Sequence, residues 1–524
     1  MVLLAAGGDS SFGDEHAFGQ NADMNVYGLY SSDRFSHQFG GQADGLPQAM
    51  WYFRTEWIAL PHGDERDFRF CPDFQVDRDW ALAGNAAATS APNAAMPLLV
   101  WVAAPHYLNG ARLDATATQV SVADARLHWS TVPRLPLNGA WFNAESAAFF
   151  SARTLRLRGT RRDDAFVGRS LWPEDYTLPS SPATVAGVDS AAGLRAWVRA
   201  DTASFSVASL WQRTAGQGIA PGQAVFGLML NGAQGDDDEA HGGHFALLTG
   251  RVGEGGSIAD LLVYNFYTLD AESEKGIVAA PVPLDNYLGD LNSGQAWYRP
   301  SWLLLATLAD DAVPRRVDAL MARVFAQFYK HCFTYRHAQA NCAGISVRCL
   351  RALGWPVPAL GGESWLRAFL ALPLVALRER SLKAGKATFD YLTEDRTTLY
   401  PAQAFEQIGG DLLRRLQAGE PPANEWMRRL ASDVQQVLAV HVPQFPSSRV
   451  PGSWPVVCSA EYRQRVPADP AARKIIPVPP RPFPAALRDP HPPFEATPRS
   501  EYAWRLYLLA ILAICLLILG RLLA

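Results

Sequence analysis

Two separated stretches carry the side chains with chemical potential. In "GDDDEAHGGHFALLTG", residues 235–250, four acidic residues and two histidines run into an apolar segment. In "YRHAQANCAGISVRCLRALGW", residues 335–355, Cys342 follows an asparagine. A cysteine that attacks a carbonyl needs a base to take its proton, and the base needs a polar group to orient it. His244 supplies the base. "GGHFALLTGRV" and "IADLLVYNFYTLD" read as two strands joined by the "GEGGS" turn. If that hairpin folds about Glu254 and Gly255, Asn265 lies directly opposite His244 and orients its ring. Asp260 and Tyr264 are the alternative orienting groups.

The element that must position Cys342 is a helix. Asn341 is a good N-cap, Ile345, Cys349, Leu350 and Leu353 form one apolar stripe, and Gly354 followed by Pro356 stops the helix. Cys342 then sits in the first turn. There the unpaired N–H groups and the positive end of the helix dipole favour thiolate over thiol, below the usual pKa of about 8.5. The same N–H groups suit an oxyanion, with Gln339 and Asn341 as neighbouring candidates for oxyanion or substrate contact. Cys349, on the apolar stripe, and Cys332, among aromatics, read as inert. His337 is a second candidate base, more simply a structural or surface histidine.

A histidine opening a strand, a polar partner on the next strand and a later "NC" opening a helix resemble the circularly permuted papain-fold cysteine hydrolases. These include the NlpC-related peptidases and the lecithin:retinol acyltransferase-like enzymes. The resemblance covers about residues 223–355. It implies a small antiparallel sheet with the cysteine helix packed on it, His244 as base, Cys342 as nucleophile and Asn265 as third member. The long spacing between His244 and Cys342 departs from that pattern. Its "PVPLDNYLGDLNSGQAWYRPSWLLLATL" reads as an insertion or substrate loop.

The acidic stretch has a rival reading as a divalent-metal site of Asp236, Asp238 and His241, with Asp237, Glu239 and His244 nearby. Two glycines separate His241 from His244, so the fixed i, i+4 ligand pair of a zinc helix is absent. A solvated loop leading into the strand is the plainer account of the acids alone.

The remaining chain frames this core. With 524 residues, 48% of them hydrophobic, several domains are expected. A net charge of -4 gives no footprint for nucleic acid. Six cysteines without a CxxC pair suggest neither a disulfide scaffold nor a zinc ribbon. The fold class expected is α+β. It has a β-rich domain of unknown role over 1–215, a papain-like catalytic domain over 216–356 and a helical extension over 357–440. "WLRAFLALPLVALRER" in that extension is apolar enough to touch a membrane or cover a cleft, and reads first as a core helix broken near Pro373. A Pro-rich extended linker follows over 441–500. The last stretch, 501–524, is uncharged between Arg505 and Arg521 and reads as a single transmembrane anchor, with the bulk of the chain cytoplasmic.

Together these features lead to a membrane-anchored thiol hydrolase or acyltransferase acting on a peptide, amide or lipid ester through a covalent acyl-enzyme, without a cofactor. The rival readings are a metal-dependent hydrolase at Asp236–His244 and an inert membrane-tethered scaffold.

Overall fold

The structure is a computed structural model. It describes residues 102–123, 125–132, 142–200, 204–269, 277–329 and most of 331–478, with short pieces at 12–13, 27–31, 52–53, 56–61, 481 and 483–484. The expected anchor at 501–524 lies outside the described residues. Among those residues no helix is long and apolar enough to cross a membrane.

Short strands β1 (Phe12–Gly13), β2 (Tyr27–Ser31) and β3 (Trp57–Pro61) precede a small barrel. It is built from β4 (His106–Leu113), β5 (Gln119–Val122), β6 (Ala125–Thr131), β7 (Leu155–Arg162) and β8 (Ala165–Pro173). Their order is β4-β5-β6-β8-β7, and β7 returns to β4. Only β6 and β8 pair in parallel. With a helix between β6 and β7, this is the five-stranded Greek-key barrel of the OB type. Topology alone assigns it no activity. Its interior is filled by alternate apolar residues, with Trp129 stacked on Phe166.

The larger sheet contains β9 (Ser206–Gln212), β10 (Ala224–Asn231), β11 (His244–Arg251), β12 (Leu262–Tyr264), β13 (Pro281–Pro283), β14 (Ser301–Leu308) and β15 (Val434–Val442). Its order is β13-β12-β11-β10-β14-β15-β9, antiparallel throughout. Every residue of β10 and β14 is buried, because both faces are covered. The helices are α1 (Ala144–Ser151), α2 (Ala191–Arg199), α3 (Leu284–Gly289), α4 (Ala312–Tyr329), α5 (Cys342–Ala352), α6 (Trp365–Arg378), α7 (Leu382–Thr393), α8 (Arg396–Leu399), α9 (Pro401–Ala418), α10 (Glu425–Asp433) and α11 (Ser459–Arg465). The chain is thus mixed α+β.

The expected boundaries do not divide this body. β9, from the supposed N-terminal domain, and β15, from the supposed helical extension, both belong to the large sheet. "VQQVLAVHV" is apolar with no clear period, and such a run reads equally as helix or strand until neighbours pair with it. β14 and β9 flank it on either side. The Pro-rich segment is also no free spacer over its described part. Residues 443–478 lie as a strap across the acidic loop: Ala233 and Ser453 form a β-bridge, Val456 N–H donates to His241 O, and Asp238 N–H donates to Lys474 O.

Barrel and sheet are joined by buried charges. Arg158 on β7 donates through Nε to both Asp285 oxygens, at 2.7 and 2.6 Å, and through Nη2 to Asp260 at 2.6 Å. Arg156 reaches Asp260 and Asp285 as well, and Arg169 on β8 bridges Glu56 and Asp290. Charges buried this deeply persist only when paired, so the contact fixes how barrel and sheet meet.

Candidate active site

Cys342 is the first residue of α5, as the sequence predicts, and the helix ends at Leu353 with Gly354 beyond it. Asn341 caps the helix by accepting the Gly344 N–H at 2.7 Å. Its Nδ2 donates to His337 O at 2.9 Å and to Leu399 O at 2.8 Å. Both amide hydrogens are thereby used, so Asn341 positions the helix and has no donor left for an oxyanion. Gln339 Oε1 accepts from Arg336 Nη1 at 3.3 Å on the turn before the helix, which leaves its Nε2 donor uncommitted.

The Cys342 sulfur is buried, with the N–H groups of Phe245 and Ala343 and the hydroxyl of Tyr335 near enough to favour its thiolate. Phe245 immediately follows His244, so the first turn of α5 abuts the start of β11. That N–H is open to the sulfur because β12 stops at Tyr264 and does not pair with β11 beyond Leu247. The Tyr335 hydroxyl also lies near the Cys342 backbone N–H, the group that would receive an oxyanion. Burial pushes the thiol pKa up, and these three donors and the nearby Arg299 only partly counter it.

His244 opens β11 behind Gly243. That glycine adopts φ 70°, and a Cβ there would come within 2.4 Å of Asn231 O. Only glycine fits. In the observed register Leu247 faces Tyr264 and Thr249 faces Leu262, so the turn is centred one residue later than expected. Asn265 then falls diagonally across from His244. An offset of two residues keeps both side chains on one face, where an offset of one would not. Asn265 Nδ2 donates to Val278 O at 2.6 Å, which fixes the amide plane. Its Oδ1 and His244 Nε2 are both buried and have no hydrogen-bond partner among the described residues, while the nearby Asn265 amide favours the protonated ring. Burial first, and Arg299 second, lower the imidazole pKa to about 3, while Asn265 opposes the fall. His244 is a neutral imidazole at ordinary pH.

The alternative orienting groups are occupied. Asp260 serves the barrel arginines, and the Tyr264 hydroxyl bonds Asp318 and Thr249. His337 is exposed on the turn before α5.

The metal reading fails on geometry. Asp236 pairs with Arg449 of the strap at 2.5 Å, Asp238 accepts from His241 at 3.2 Å and from Lys474 N–H at 2.8 Å, and Asp237 caps Glu239 N–H. Among the described residues no group of three or more His, Cys, Asp or Glu is disposed to hold a metal ion. The acids tie the loop to the strap.

Three functional candidates escaped sequence reasoning. Tyr335 is one. The others come from the supposed insertion, which is folded into the core. Arg299 is fully buried beside Cys342 and His244, with Nε on Gln295 Oε1 at 2.9 Å and Nη1 on Gly232 O at 3.2 Å. The Tyr287 hydroxyl donates to Asn231 Oδ1, and Asn231 Nδ2 donates to Ser301 Oγ at 2.9 Å. Ser301, Asn231 and His244 are paired across three neighbouring strands, forming a polar row at one end of the sheet. An arginine just before "PSWLLLATL" was the available signal, since a charge entering so apolar a strand must be satisfied inside. A cavity of about 10 Å³, room for about one water, opens beside Asn265, Tyr287 and Gln295.

The arrangement packs the helix that opens with a buried thiol against the strand that a neutral imidazole opens. Its N–H groups, the Tyr335 hydroxyl and the Arg299 cation all favour negative charge at the sulfur or on a bound oxygen. Comparison with known proteins adds no assignment: no protein-family model, no curated protein and no solved structure matches the chain.

Proposed function

We propose that the chain is a thiol hydrolase or acyltransferase of papain-like type, with Cys342 as nucleophile, His244 as base and Asn265 as orienting group. The observation that supports this reading is the cysteine helix α5 packed on β11, the strand that His244 opens, with Asn265 diagonal to His244 on the same face. His244 takes the thiol proton as the sulfur bonds to the carbonyl carbon of an amide or ester. The carbonyl oxygen, now negative, lies against the Cys342 N–H once the Tyr335 hydroxyl turns aside or donates to it. His244 returns the proton to the departing amine or alcohol, and water or another acceptor releases the acyl group from the thioester. Peptide amides and lipid esters are the substrate classes proposed, at a membrane that 501–524 would anchor from the cytoplasmic side.

Cys342 is 3% exposed and His244 7%, which supports a closed resting state that opens to substrate. The test is labelling with an acyl or iodoacetamide probe followed by mapping of the modified peptide, which separates Cys342 from the half-exposed free Cys458. Cys342→Ala abolishes the label at that peptide. His244→Ala slows acylation by about 10²–10⁴-fold, the worth of a general base, and Asn265→Ala slows it less. Acylation of Cys342 at the wild-type rate in His244→Ala refutes the mechanism and leaves the inert-scaffold reading.

A further inference from the structure

α6 was expected to be a core helix, and it is not. Of its residues only Ala368 and Leu372 are buried. Leu366, Leu370, Leu374 and Leu377 are 71%, 58%, 66% and 77% exposed, joined by Trp365 at 52% and by Leu382 at the start of α7 at 66%. The four α6 leucines recur at i, i+4, i+8 and i+11, which is one helical stripe pointing outward.

The exposure is not the result of loose structure. α6 and α7 pack on one another through Trp365, Phe369 and Phe389, with Phe369 and Phe389 ring centroids 5.4 Å apart. A Cβ on Gly385 would come within 2.4 Å of Leu372 O, so glycine lets the helices approach closely. The hairpin stands on a pinned neck. Asp395 accepts the N–H groups of Leu360 and Gly361 at 2.9 and 3.2 Å, and Arg351 of α5 at 3.1 Å. Leu399, a few residues on, holds the Asn341 cap of the cysteine helix. The rim of the stripe is basic: Arg367, Arg378, Arg380 and Lys383 are all exposed, with Glu379 the one acid among them.

We propose that the α6–α7 hairpin docks on the surface of an anionic lipid bilayer, its leucine stripe entering the headgroup boundary and its arginines and lysine meeting the lipid charge. A rigid apolar stripe of this size on a folded body marks an interaction surface. A basic rim beside apolar side chains is the pattern of helices that lie in a membrane interface. A symmetric pairing of two copies would bring the same cations face to face, which disfavours a dimer here. The apolar stretch 501–524 would hold the body near a bilayer and raise the hairpin's effective concentration there. The inference goes beyond the proposed chemistry and stands whether or not Cys342 is a nucleophile.

Vesicle binding by the whole chain does not decide this, because 501–524 would tether it regardless. The decisive probe is an environment-sensitive fluorophore on Leu374→Cys in the full chain, with the wild-type chain carried through the same labelling as background. Phosphatidylcholine vesicles containing phosphatidylglycerol should raise its emission several-fold, and lipids with a doxyl group on the acyl chain should quench it. A probe on Thr214→Cys, exposed at the far end of β9, should respond to neither. Adding Leu370→Glu and Leu377→Glu should abolish the response at 374, and pure phosphatidylcholine should weaken it. A probe at 374 that stays solvent-exposed with vesicles overturns the proposal. So does one already shielded without vesicles and insensitive to doxyl lipid, which would mean that 501–524 or a second copy covers the stripe.

Discussion

Replacing His244 with glutamine should remove a pH dependence of stability that its burial creates. The imidazole pKa is lowered from 6.5 to about 3, chiefly by burial and then by Arg299. Because the folded value lies below the unfolded one, the unfolded chain binds the extra proton between those limits. The contribution of the neutral ring is complete above pH 6.5 and is lost as pH falls toward 3. At about pH 5 the unfolded chain holds that proton against roughly 1.5 units of mismatch, worth about 2 kcal/mol at ~1.4 kcal/mol per unit. Asp318 works the other way: burial raises its carboxyl to about 6, so its protonation in the folded state adds stability as pH falls from there toward 3.8. Wild-type data alone therefore mix opposed effects, and the difference between wild type and His244→Gln isolates the ring. Urea unfolding followed by tryptophan fluorescence at about pH 7.5 and about pH 5 should show the wild-type advantage shrinking by about 2 kcal/mol. Parallel stabilities at the two pH values would refute the reasoning, since they would mean that His244 is solvated or already charged against a thiolate.

Arg158→Met should destabilise the junction of barrel and sheet by about 3–5 kcal/mol, because Asp285 would remain buried without its main partner. Arg158→Met combined with Asp285→Leu should recover most of that loss in a thermal melt. Arg449→Ala should loosen the strap over the acidic loop by removing the Asp236 pair, and Cys342 should then alkylate several-fold faster. An unchanged rate would show that the strap does not limit access.

The sequence by itself determined the local half of the site. The helix opening at Cys342, its Asn341 cap and its Gly354 stop rest on short-range rules of hydrogen bonding and backbone geometry, and they stand where expected. So does the strand opening at His244, because the glycine before it suits a backbone that other residues avoid. The face shared by His244 and Asn265 was also legible, since strand alternation depends only on parity and survives a turn centred one residue later. Only the tertiary structure decided the rest. Asn341 looks free until Leu399 and His337 claim its amide, and the acids look like metal ligands until the strap claims them. The leucines of α6 look like core until none of the described residues covers them, while the apolar residues of β15 become core because β14 and β9 cover them. Apolar periodicity states which side chains gain by leaving water, whereas the element that covers them is chosen by contacts between residues hundreds of positions apart.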